Sequence, residues 1–100
     1  MANNIGNCMK VNICGISHEV IECEDSFNAD ASHFGQIDYL KCKIKVNKDM
    51  HEDMKREAIC HEMVHGMLVH LGYHEQSADE QFVQALANAI LQGFEIKTTF

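Results

Sequence analysis

His61, Glu62 and His65 stand in the run His61-Glu62-Met63-Val64-His65, an H-E-x-x-H pentapeptide inside a stretch with helical spacing. Residues four apart on a helix share one face, one turn above the other. Two imidazoles so placed can both hold one Zn²⁺, and the glutamate between them can work on a water at that ion. The spacing therefore predicts a zinc-dependent hydrolase, most naturally a peptidase. Zinc would polarise the scissile carbonyl and acidify a water, while Glu62 would take the proton and hand it to the leaving amine.

A hydrolytic zinc site needs three protein ligands and an open position. Glu80, Asp79, His70, His74 and Glu75 follow the pentapeptide closely enough to be candidates. His70 comes five residues after His65, about 140° further round a helix, and points away while the helix continues. The metzincin continuation needs a glycine at position 68 and a histidine at 71, and Leu68 and Leu71 exclude it. Glu80 opens the next helix, which a short loop can bring against the first. His61, His65 and Glu80 are the expected ligands and Glu62 the expected base. Ser77-Ala78-Asp79-Glu80 also reads as a capping box, in which Glu80 merely satisfies a helix terminus. Tyr73, Tyr39, His70 and His74 are candidate donors to the oxyanion.

The elements that must position these residues fall in two halves. Met9–Cys14 and Glu19–Cys23 read as strands around a Gly15-Ile16-Ser17-His18 connection, a hairpin. Residues 24–34 are polar and read as a loop. Gly35 opens an apolar stretch to Asn47, in which Ile44-Lys45-Val46-Asn47 alternates as an edge strand with one wet face, open to an extended peptide. A first helix spans Asp49 or His51 to Leu71, capped by Asp49 or Asn47 and stopped by Gly72. Gly66, directly after the second histidine, reads as leaving space near the metal. A second helix spans Ala78 to Gln92. Its Phe82, Val83, Leu86, Ala87 and Ile90, with Phe94, recur at helical spacing and are expected in the core. Strands followed by helices indicate an α+β fold, a small antiparallel or mixed sheet covered on one face by two helices.

One hundred residues fit a single domain, 1–100, able to bury a modest core. Eight Lys+Arg against fifteen Asp+Glu give a net charge of −7. That balance argues against an extended phosphate-binding face, so no nucleic-acid partner is expected. No apolar run approaches the roughly 18 residues of a membrane span, and the first thirty residues lack a secretory pattern. The odd set Cys8, Cys14, Cys23, Cys42 and Cys60, with no C-x-x-C pair, reads as free thiols in a reducing cytoplasm. The expected partner is a protein or peptide substrate; oligomeric state is not encoded.

Gly35-Gln36-Ile37-Asp38-Tyr39, the Ile44–Asn47 strand, Lys55-Arg56-Glu57 leading into His61–Gly66, and Asp79–Asn88 together resemble the small zincin-like metallopeptidases of the ImmA/IrrE type, in the short form carried by phages. The resemblance covers roughly residues 35–93. It implies a minimal zincin domain, with a twisted sheet, an active-site helix and a second helix bearing the third ligand. It also implies a cytoplasmic peptidase that cuts a regulatory protein. Larger members place a glutamate ligand four residues before an asparagine. Here that position, relative to Asn88, is Gln84, which leaves Glu80, one turn earlier, to take the role or the site weakened. The alternative function is a catalytically silent zincin-like module that binds a protein partner. A fainter echo, in His65–Leu68 and His70–His74, is of the YbeY-type RNA endonucleases.

Overall fold

The computed structural model describes residues 9–24 and 35–99. Most of the expected 24–34 loop and Cys8 lie outside the described residues.

Strands β1 (Met9–Ile13) and β2 (Ile16–Cys23) form an antiparallel hairpin. Its two-residue turn is Cys14-Gly15, with φ of 51° and 83°. Two successive positive φ values suit a turn whose twist matches that of the flanking strands. The connection is therefore shorter than the predicted Gly15–His18, and Ile16, Ser17 and His18 belong to β2.

Strands β3 (Gly35–Asp38) and β4 (Lys43–Asn47) pair antiparallel, and β4 runs parallel to β2. A short β5 (Thr98–Thr99) pairs with β1. The order is β3-β4-β2-β1-β5, a five-stranded mixed sheet among the described residues. This corrects one expectation. Ile44–Asn47 is not an edge strand but is hydrogen-bonded on both sides. Its alternation reports one wet face, a property of the pleat that says nothing about whether an edge is free. The edge beside the helices is β3.

Helix α1 (Glu52–His70) begins at His51, whose Nδ1 accepts the backbone N–H of Asp53 at 3.0 Å. Neither expected cap serves it. Asn47 instead turns its Oδ1 onto the Asp49 N–H at 2.8 Å, closing the β4–α1 turn. At the other end Gly72 takes φ +90°, Tyr73 N–H reaches the Leu68 carbonyl and Gly72 N–H that of Val69, a Schellman stop. A single turn, α2 (His74–Ser77), precedes α3 (Glu80–Gly93). Asp79 caps α3 by accepting the Phe82 N–H at 3.1 Å. Ser77 is therefore not the cap of a capping box.

The fold is α+β, with α1 as its middle layer. Ala58 and Ile59 pack on the sheet face of Val11, Ile13, Val20, Ile44 and Val46. Cys60 and Val64 meet Val83 and Ala87 of α3. Val83, Ala87 and Ile90 make the α3 stripe that faces α1. Phe82 and Leu86 precede this stripe by one position, about 100° round the helix, and are 42% and 36% exposed. Phe94 lies past the helix end and is 72% exposed. These three were expected in the core and are not there. Among the described residues no helix is long and apolar enough to cross a membrane.

Gly66 permits the close seating of α1. A Cβ there would stand 3.0 Å from Ile13 Cδ1 and 3.2 Å from Ile37 Cδ1, tighter than ordinary packing allows. The glycine faces the sheet, so its role is to bring helix and sheet together rather than to clear space beside a metal.

Candidate metal centre

His61 and His65 project from one face of α1 toward the start of α3, their ring centroids 4.9 Å apart. Glu80 comes from the first turn of α3, where capping by Asp79 leaves its carboxylate unengaged by the helix terminus. Glu80 Oε1 lies 2.9 Å from His61 Nε2 and 3.2 Å from His65 Nε2. The structure thus brings the three expected ligands together, and the group could hold a metal ion. Asp79, His70, His74 and Glu75 are outside it. His70 instead meets the ring of buried His18, edge to face at 6.4 Å.

The far side of each ring is also engaged. His61 Nδ1–H donates to Gln84 Oε1 at 2.6 Å, while Gln84 Nε2–H donates to Asn88 Oδ1 at 3.1 Å. His65 Nδ1–H donates to Ser77 Oγ at 3.2 Å, and the Ser77 hydroxyl donates to the His65 carbonyl at 3.3 Å. With Nδ1 of each ring engaged by these acceptors, Nε2 of each ring is turned toward the carboxylate. Two ring nitrogens and a carboxylate oxygen this close need positive charge among them, supplied by protons on the rings or by a metal ion. Tetrahedral coordination at about 2.0–2.1 Å sets ligand atoms roughly 3.3 Å apart, close to the spacing seen. The donor chemistry fits a divalent cation such as zinc.

Glu62 is 7% exposed and lies on the floor of a cleft of about 610 Å³. His61 and His65 of α1, Glu80 and Gln84 of α3, and Gly35, Gln36, Ile37 and Tyr39 line it as well. Gly35 lies against the base: a Cβ there would come 3.4 Å from Glu62 Cγ, ordinary contact, and a tighter 3.3 Å from the Lys45 carbonyl. Of the four candidate oxyanion donors, Tyr39 alone lines this cleft. Burial raises its phenol pKa; Ser77 pulls the other way, and Glu62 and Glu80 add to the rise. Tyr39 therefore keeps its proton well into the alkaline range and remains a donor.

Ser77 and Gln84 are site residues whose roles the sequence reading did not find. A signal was present for Gln84. It lies four residues after Glu80, so the two share a face of α3, and one ring of α1 can be held between them.

The chain matches no family model, no curated protein and no solved structure.

Proposed function

We propose that the chain is a zinc-dependent endopeptidase with a minimal zincin-like fold of the ImmA/IrrE type, cutting a protein substrate in the cytoplasm. The observation that carries this reading is the convergence of His61, His65 and Glu80 beside the buried carboxylate of Glu62. Bound zinc would supply Lewis acidity to the scissile carbonyl and to a water. Glu62, held in the cleft floor, takes the water proton and delivers it to the leaving nitrogen. Tyr39, whose phenol lies within reach of Ser77 in the same cleft, donates to the oxyanion.

The substrate lies along β3. Among the described residues this strand pairs with β4 alone, so its other edge offers main-chain donors and acceptors to an extended peptide. Strand addition there runs the peptide past the histidines. The silent-module alternative drew on Gln84 as a failed ligand, but Gln84 faces His61 Nδ1, away from the Nε2 side where a metal would sit.

The test is cleavage of a degenerate unstructured peptide library by zinc-loaded protein, read by mass spectrometry. Wild type should cut, and Glu62→Gln should hold as much zinc and cut nothing. Equal cleavage by Glu62→Gln would overturn the mechanism. No cleavage by a fully loaded wild type would favour the silent module.

A further inference from the structure

We infer that Gln84 and Ser77 are positioning residues which hold Nδ1–H of His61 and of His65 and so present Nε2 of each ring to the cation, and that their neutrality limits how tightly this site holds it. The inference rests on the metal-centre reading but not on peptidase activity.

Histidine ligands almost always donate their second N–H to a partner, which fixes the tautomer and the ring orientation. Here both partners are uncharged: an amide oxygen for His61 and a hydroxyl for His65. Each partner is itself anchored. Gln84 is oriented by Asn88, one turn on along α3, and Ser77 by the main-chain carbonyl of the histidine it serves. A hydroxyl that donates to that carbonyl has only lone pairs left for the ring, so Ser77 can act only as acceptor toward Nδ1. The amide follows the same logic, because its nitrogen is committed to Asn88 and its oxygen is left for His61.

Two consequences separate this role from a purely structural one. Nδ1 of each ring is committed before any metal arrives, which leaves Nε2 for the site. The donor strength of His61 is tunable through position 84, since a carboxylate opposite Nδ1 would push electron density toward Nε2 and an apolar group would withdraw the orienting bond. Gln84 is thus neither a ligand nor a defect but a setting of the site.

The experiment has two arms, neither requiring substrate. In the first, long-range ¹H–¹⁵N correlation spectra of the metal-free protein are recorded at mildly alkaline pH, where ordinary imidazoles are neutral. Both histidines should carry a proton at Nδ1. In the second, Zn²⁺ affinity is measured by competition with a chromophoric chelator. Gln84→Leu and Ser77→Ala should each weaken binding by roughly 10–100-fold, and Gln84→Glu should tighten it. Since Ser77 is buried, circular dichroism of Ser77→Ala confirms that a weakened site sits in a folded protein. An Nδ1 without a proton on either ring, or unchanged affinity in Gln84→Leu, would overturn the inference. If wild type binds zinc yet never cleaves peptides, the peptidase reading fails and this one stands. If wild type does not bind zinc, the metal centre fails, and the Nδ1 protons alone decide the positioning role.

Discussion

Gly35 and Glu62 meet across the cleft floor, where a Cβ on the glycine would stand 3.4 Å from the glutamate Cγ and 3.3 Å from the Lys45 carbonyl. The carbonyl belongs to β4 backbone and cannot yield, so added bulk is resolved by a small shift of β3, which lines the cleft with Glu62. Gly35→Ala should lower stability by about 1–3 kcal/mol and reduce peptide cleavage, while zinc content stays at the wild-type level. Parallel assays of turnover and bound metal check this; undiminished turnover would show that Glu62 is not confined by β3.

Gly66→Ala tests the seating of α1. In an exposed helix the change would add about 1 kcal/mol of stability. Against Ile13 and Ile37 it should instead cost roughly 1–3 kcal/mol, read as a lower urea midpoint. Pairing it with Ile37→Val, which trims the clashing Cδ1, should recover part of the loss. A stabilised single mutant would show that the helix does not bear on the sheet at this point.

Zinc should stabilise the fold by mass action. At 100 times its dissociation constant the gain is about 2.7 kcal/mol, visible as a raised melting temperature. Glu80→Ala should abolish most of that gain while leaving the metal-free melting temperature nearly unchanged, because Glu80 is largely exposed and does not cap α3. An equal zinc-induced shift in Glu80→Ala would remove Glu80 from the site.

Tyr39→Phe should lower kcat by roughly 10²-fold with zinc affinity within a factor of a few. If KM rises and kcat holds, Tyr39 binds substrate and does not serve the oxyanion.

Burial pushes the Cys60 thiol up from its ordinary range. The unfolded thiol ionises first, near pH 8.5, so the folded state keeps its proton longer. This group's contribution is complete below that value and is lost as pH climbs above it. Urea midpoints should fall between pH 8 and 10, and Cys60→Ala should flatten the decline. At fixed pH, exposed Cys14 should react with a thiol reagent long before Cys60 does.

Much of the site was legible because its chemistry is local. His61 and His65 are fixed by one helical turn, and Glu80 by the start of the next helix. What the sequence hid depends on pairings between distant segments. Local alternation in Ile44–Asn47 could not reveal that β2 lies parallel on one side and β3 on the other. Ser77 fitted a capping pattern, yet Asp79 sits in the better place to accept the Phe82 N–H, and the serine turns to His65. Phe82 and Leu86 share helical periodicity with Val83 and Ala87, and only the docking of α3 on α1 chooses which stripe is covered.

The two histidines are four residues apart, whereas Glu80 lies 15 residues beyond His65. The centre therefore has a fast half and a slow half. A nascent α1 already aligns both imidazoles, on the sub-microsecond scale of helix formation. The carboxylate arrives only after the chain has reversed at Gly72 and α3 has docked. A cation present during synthesis would meet a two-toothed chelate first and gain its third ligand as the last helix closes, making metal capture part of the order in which the molecule assembles.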